Sequence, residues 1–309
     1  MNSPHHIITP SPHHPYAIGI DVGGTNIKAV AVSVDGELLL EWRQPTAESE
    51  AGWAGRVREA ITRIEGRTGR APGYVGLAAP GLAAPDGRSI AWMRGRMESL
   101  QGLDWTTFLA SSRVVPVLND AQAALLGETW RGAAAGSRNA VMLTLGTGVG
   151  GAAIVDGRLL RGHIGRAGHL GHISLDPDGP PDITNAPGSL EDAIGECTLA
   201  ARTGGRFGST ADLVAAARTG DAEARRVWER SVKALAAGIA SLINVLDPEV
   251  VILGGGIVNA GAALFEPLGE WIARFEWRPT GSAVRLVTAS LGDMAGAWGA
   301  AANALHVPD

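Results

Sequence analysis

Asn119 and Asp120 follow the apolar run Val114 to Leu118 and precede AQAALLGETWR, so they stand where a strand ends and a helix begins. A carboxylate at that point has two uses. It can cap the helix by accepting backbone N–H groups. It can also take the proton from an acceptor hydroxyl that attacks phosphorus, with Asn119 orienting the same acceptor. Asp21 offers complementary chemistry. In YAIGIDVGGTNIKAVAVS it lies at a turn, where a carboxylate holds Mg²⁺ directly or through water and Thr25 or Lys28 meets phosphate oxygens. Lys28 is equally well accounted for as a solvated strand residue.

The turn Gly23, Gly24, Thr25 has a counterpart at Gly146, Thr147, Gly148. YAIGIDVGGTNIKAVAVSVDGELLL, from Tyr16, and VMLTLGTGVGGAAIVDGRLL, from Val141, share one plan: apolar run, glycine turn, second apolar run, Val-Asp-Gly and paired leucines. Asp35 and Asp156 occupy matching places about 120 residues apart, which suits a duplicated domain rather than a solenoid. Each half should open with a β-hairpin whose turn amides form a concave anion site. Two copies point to a phosphate clamp between two domains. Gly146-x-Gly148-x-x-Gly151 also matches the dinucleotide fingerprint, but that fingerprint needs a helix to start within the glycines. The following AAIVDGRLL is β-like and ends in an Asp-Gly turn.

The positioning elements alternate between strand and helix. Helices are expected over Gly52 to Thr68, after Asp120, from Ala222 to Leu246 and from Ala295 to Leu305. Strands are expected over Tyr74 to Ala78, Val114 to Leu118 and Val250 to Leu253, the last followed by Gly254, Gly255 and Gly256. The apolar stretch Ala234 to Val258 is interrupted by Asn244, Asp247 and Glu249, so it reads as helix, turn and strand rather than a membrane span. With 309 residues the chain has room for about two domains. Its net charge of −5 argues against nucleic-acid and membrane-surface partners and for a small-molecule one. The lone Cys197 excludes an internal disulfide and a multi-thiolate zinc site. Residues 1–15 read as a disordered leader without a secretory signal, and cytoplasm is the expected compartment.

DVGGTNIK (Asp21 to Lys28), LNDAQAALLGE (Leu118 to Glu128), LTLGTGVGGAAIVDGRLL (Leu143 to Leu160) and DPEVVILGGGI (Asp247 to Ile257) together resemble the sugar kinases of the ROK family, within the hexokinase, actin and Hsp70 superfamily. The resemblance runs from about Tyr16 to Leu305. It implies an α/β protein with two ribonuclease-H-like, actin-like ATPase domains and a central cleft. The small domain would comprise residues 16–118 plus 295–309, and the larger one residues 119–294. It implies ATP- and Mg²⁺-dependent phosphorylation of a primary, C6-like hydroxyl of a hexose or hexose-like acceptor, as in a glucokinase-like carbohydrate kinase, and a homodimer. Asp120 would be the base. Asn119, Gly81, His169, His172, Glu191 and Arg96 would face the acceptor. Asp21, Gly23, Gly24, Thr25, Lys28, Gly146, Thr147 and Gly148 would hold the triphosphate and its metal, and Gly254, Gly255 and Gly256 would flank adenosine.

The departures concern the acceptor. Family members usually carry G-E-I-G-H followed by C-x-C-G-x-x-G-C-L-E, whose histidine and three cysteines bind a structural zinc. Here the segments read Gly168-His169-Leu170-Gly171-His172 and DITNAPGSLE, with Asp182, Thr184 and Ser189 at the cysteine places and Glu191 retained. No zinc is expected from that donor set. His169 replaces a sugar-binding glutamate, exchanging an acceptor-only carboxylate for an imidazole. With Arg96 it suggests a more basic pocket, suited to a non-glucose sugar, a cyclitol or an acidic sugar. A non-catalytic sugar- or nucleotide-binding protein and a polyphosphate donor are alternatives. A sugar-responsive repressor would need a helix-turn-helix that the fifteen-residue leader cannot supply.

Overall fold

The computed structural model describes residues 15–46, 50–93 and 97–306, so Arg96 and all of the leader but Pro15 lie outside the described residues. The chain forms two compact units. Unit 1 comprises residues 1–136, 161–166 and 290–309, and unit 2 comprises residues 137–160 and 167–289.

Unit 1 begins with β1 (Tyr16–Val22), β2 (Asn26–Ser33) and β3 (Leu38–Pro45), an antiparallel meander. Helix α1 (Glu50–Thr68), β4 (Tyr74–Ala79), the small hairpin β5 (Leu82–Ala83) and β6 (Ile90–Trp92), α2 (Trp105–Phe108), β7 (Val117–Asn119) and α3 (Asp120–Trp130) follow. The sheet order is β3-β2-β1-β4-β7, with β4 parallel to both β1 and β7. Period-two alternation divides its faces. Ile18, Ile20 and Val22 join Trp53, Val57 and Ile64 of α1 in one core. Strand β7 starts three residues later than expected because Pro116, which has no N–H, cannot donate to a ladder; it only accepts, from Leu77 N.

Unit 2 repeats the plan. Its strands are β8 (Ala140–Leu145), β9 (Val149–Val155), β10 (Arg158–Leu159), β11 (Val250–Gly254) and β12 (Arg285–Thr288), in the order β10-β9-β8-β11-β12. Its helices are α4 (Leu190–Ile194), α5 (Leu199–Arg202), α6 (Thr210–Arg218), α7 (Ala222–Leu246) and α8 (Ala262–Phe275). Asp221 caps α7 by accepting from Ala224 N, and Asp247 ends it in the left-handed region at φ 44°. One face of α7, with Val232, Leu235, Ile239 and Ile243, buries Val141, Leu143 and Leu145 of β8. No helix among the described residues is long and apolar enough to cross a membrane.

The chain returns to unit 1 as α9 (Ala295–His306), whose Ala297, Trp298 and Ala301 pack with Ala17, Val30 and Val32 on the sheet face opposite α1. The units part at residues 136/137, 160/161, 166/167 and 289/290, where the expected divisions are 118/119 and 294/295. The reason is that α3 packs on α9 almost backbone to backbone. A Cβ on Gly299 would lie 1.6 Å from the Ala123 carbonyl oxygen, and one on Gly127 would lie 2.5 Å from that of Ala295. Neither oxygen can turn aside, so Gly299→Ala is expected to force the helices apart at a cost of about 3 kcal/mol in urea unfolding. Gly269→Ala, at an exposed position of α8 with open space around it, should instead stabilise by about 0.5–1 kcal/mol. Equal effects from the two variants would refute the close-packing account.

Candidate functional site

The expected site residues fall into one group in each unit. In unit 1, Asp21, next to last in β1, lies directly across the ladder from Lys28. Its carboxyl lies against Gly296 in the first turn of α9, where an added Cβ would come within 2.9 Å of it. Lys28 Nζ is 3.8 Å from Asp293 Oδ2, which Arg43 also contacts at 2.5 Å. Lys28 is thus an ion-paired residue rather than a solvated one. The intervening turn is braced: Gly23 N donates to Asn26 O at 3.0 Å, Thr46 Oγ1 to Gly23 O at 2.6 Å, and Thr46 N to Thr25 O at 2.8 Å. Thr25 remains exposed, and Gly24 has nothing within 4 Å of a Cβ position, so the outer surface of the turn is open to a ligand.

Burial of the Asp21 carboxyl pushes its pKa up to about 7, the negative charge of Asp120 adds to the rise, and Lys28 opposes it. A desolvated carboxylate whose charge is incompletely balanced fits a divalent cation, and Asp21 with the braced turn is what would hold Mg²⁺ and phosphate here. The folded-state pKa lies above the ordinary 3.8, so the proton on Asp21 is bound more tightly folded than unfolded. That contribution to stability is complete below about pH 4 and is lost as pH rises through about 7. Asp21→Asn removes the penalty. In nucleotide-free protein its stability advantage over the parent should grow between about pH 4 and 7, to as much as about 4 kcal/mol. Parallel urea titrations across that range check it, and a pH-independent difference would contradict it.

At the start of α3 the capping role falls to Asn119, not Asp120. The Asn119 side chain accepts from Ala121 N at 3.0 Å and Gln122 N at 3.4 Å, while Gln122 Oε1 accepts in return from Asn119 N. Asn119 Nδ2 donates to Gly81 O at 2.9 Å, leaving one amide N–H to offer a ligand. Gly81, at φ 98°, is held close to Trp92 and serves here to seat Asn119. Asp120 is the first helical residue. It is exposed, and its Oδ1 accepts from Ala121 N at 2.8 Å.

In unit 2 the second hairpin turn is clipped from outside: Glu196 N donates to Gly146 O at 3.0 Å and Cys197 N to Thr147 O at 2.8 Å. Glu191, in the first turn of α4, accepts from Val149 N at 2.9 Å, and its carboxylate lies over Gly148, where a Cβ would be 2.4 Å away. Gly255, at φ 87°, passes against Leu145, while Gly146 and Gly256 face open space. His169 is half-buried and precedes the short turn Leu170–His172. His172 is committed to Asp182, its Nδ1 lying 2.8 Å from Oδ2. A cavity of about 490 Å³ lined by Asp192, Arg202, Arg230, Lys233 and Phe275 contains none of the expected site residues.

The residues at the place of the family's zinc do not fit that metal. Asp182 Oδ1 accepts from Thr184 N, Thr184 Oγ1 and Ala186 N at 2.7–3.0 Å, and Ser189 Oγ accepts from Asp192 N to cap α4. Both replacement hydroxyls and the carboxylate are thus engaged within the protein, and no thiolate is present. Thr46, Asp293, the Glu196-Cys197 clip and the hub role of Asp182 join the site only through tertiary contacts. Only the last left a trace, the Asp-x-Thr spacing of an Asx turn.

Residues 17–307 match the model of the ROK family. The chain belongs to the ROK family. A glucokinase of Thermotoga maritima is 34% identical over 304 residues, spanning 92% of this chain and 95% of that protein. The ROK hexokinase of Thermus thermophilus superimposes with a TM-score of 0.83 at 34% identity, covering 94% of this chain and 97% of that one. A ROK family glucokinase of Streptomyces griseus, solved with glucose and AMPPNP, gives a TM-score of 0.72 at 28% identity over 94% and 99% of the two chains. The twice-repeated sheet order is accordingly that of the actin-like ATPase fold, which ROK kinases share.

Proposed function

We propose that this ROK protein, an ATP-dependent sugar kinase, transfers the γ-phosphoryl group to a primary, C6-like hydroxyl of a hexose or hexose-like acceptor, with Asp120 as general base. Bound MgATP supplies the phosphoryl group and neutralises charge on it. The supporting observation is the division of labour at the start of α3. Asn119 provides the capping box, and Asp120 is exposed as the first residue of α3, where its carboxylate would accept a hydroxyl proton. Asn119 has one N–H left to orient the acceptor. The braced glycine turns offer backbone amides for phosphate, and Asp21 supplies the carboxylate for the metal. His169, at the place of the family's glutamate, and Glu191 would contact the acceptor. An imidazole there favours a sugar other than glucose, a cyclitol or an acidic sugar. The lone cysteine and the family likeness support a cytoplasmic homodimer.

The test is ADP release from MgATP across hexoses, amino and N-acetyl sugars, sugar acids and cyclitols, with polyphosphate as a second donor. One dominant acceptor, lost in Asp120→Asn, is expected. Silence across the panel with nucleotide still bound would support the non-catalytic binder instead. Glucose as best acceptor by a wide margin would remove the special role given to His169.

A further inference from the structure

The segments that carry His169 and Glu191 are joined by a single side-chain hub. Asp182 is fully buried at its carboxylate and accepts three bonds on Oδ1 from its own turn, from Thr184 N, Thr184 Oγ1 and Ala186 N. Its other oxygen, Oδ2, reaches across to His172 Nδ1 at 2.8 Å. Backbone bonds zip the same two segments further along. Leu175 N donates to Gly188 O at 2.9 Å, Leu190 N to Ile173 O at 3.0 Å, and Ser174 Oγ to Pro187 O at 2.6 Å. Burial alone would disfavour the Asp182 charge, yet the donors from Thr184, His172 and Ala186 hold its carboxyl well below the usual range. The carboxylate is therefore ionised and fixed.

The position of this hub matters. His172 closes the turn that begins at His169, with His172 N donating to His169 O at 3.3 Å. Glu191 follows Ser189, which pairs with Ser174 in the same zip. Gly171, at the centre of the turn, is pressed against β9, where a Cβ would be 1.9 Å from Val149 O, and Val149 N in turn donates to Glu191. Turn, strand and α4 thus form one closed unit in which the His172–Asp182 bond is the described tie between two side chains, beside the backbone zip and the Ser174 and Glu191 bonds to backbone.

We propose that the His172–Asp182 pair is a metal-free latch that positions His169 and Glu191 for the acceptor, so that acceptor affinity depends on a hydrogen bond where a zinc ion would otherwise be needed. Asp182 and His172 are positioning residues, and the inference rests on the kinase reading for the identity of the ligand. His172→Ala leaves the three local bonds of Asp182 and the backbone zip intact, so the protein folds, but the bond from Asp182 across to the His169 turn is gone. Acceptor KM should rise at least about tenfold, with a much smaller change in the KM for MgATP. His172→Asn, whose amide nitrogen occupies nearly the place of Nδ1, should restore most of the loss. Amide exchange over residues 169–175 and 186–191 should quicken in His172→Ala alone, and this is read whether or not turnover is found. Wild-type silence on the acceptor panel would fault the kinase reading, whereas unchanged exchange would fault the latch. The latch is also overturned by one equivalent of tightly bound zinc in the purified protein, by equal rises in both KM values, or by failure of the asparagine rescue.

Discussion

Asp120→Asn is expected to lower kcat by about 10²–10⁴-fold while leaving nucleotide affinity within a few-fold of the parent. The substitution is nearly isosteric, and Asn Oδ1 can still accept from Ala121 N as the carboxylate does at 2.8 Å. Helix α3 also keeps its cap, because Asn119 provides it. The change therefore removes the capacity to take a proton without disturbing the cap. It also removes a negative charge that raises the pKa of Asp21 toward 7, so the Asp21 pKa in the variant should fall. Steady-state kinetics with the best acceptor, and nucleotide binding by calorimetry, measure the two parts. A variant that keeps full turnover would show that Asp120 is not the base, whatever its placement suggests.

Glu128→Ala should be the most damaging single change to stability, costing about 4 kcal/mol in equilibrium unfolding. Glu128 has no solvent exposure, yet its carboxylate is fully engaged. Oε2 accepts from Ala133 N at 2.7 Å and from Ser290 Oγ at 3.2 Å, and Oε1 accepts from Ser290 N at 2.9 Å and Leu291 N at 2.8 Å. These bonds tie the end of α3 to the point where the chain re-enters unit 1 ahead of α9. Removing the carboxylate strands several buried donors at once, each worth about 1–3 kcal/mol when left unpaired. Glu128→Gln keeps one acceptor oxygen and turns an amide nitrogen toward N–H groups, so an intermediate loss of about 2 kcal/mol is expected. Because Asp293 and Gly296 follow shortly after Leu291, activity should fall in parallel as the setting of Asp21 loosens. A Glu128→Ala protein as stable as its parent would mean that these donors find other partners.

Much of the candidate site was legible because local chemistry announces itself locally. The paired glycine turns predicted two hairpins, and β1–β2 and β8–β9 are those hairpins. The AAIVDGRLL run predicted a strand where a dinucleotide site would need a helix, and β9 is that strand. The choice of cap at α3 was not legible, since Asn119 and Asp120 are both good capping residues and only the observed backbone selects between them. Residue 172 illustrates the opposite case. The family resemblance set it among the acceptor ligands, and its Nδ1 partner, Asp182, is supplied by folding two segments together.

Periodicity, turn chemistry and short motifs act over a few residues, so the family, the two-fold repeat and the residue types available for phosphoryl transfer are legible in the chain alone. The tertiary structure alone decided where the units divide, since α3 joins unit 1 through backbone contact with α9, more than 160 residues later in the chain. It also decided that Glu128 and Asp182 act as buried hubs and that the Asp21 carboxyl is pushed up to about 7. Burial and the convergence of donors from distant segments set those properties, and neither is encoded in any single stretch of chain.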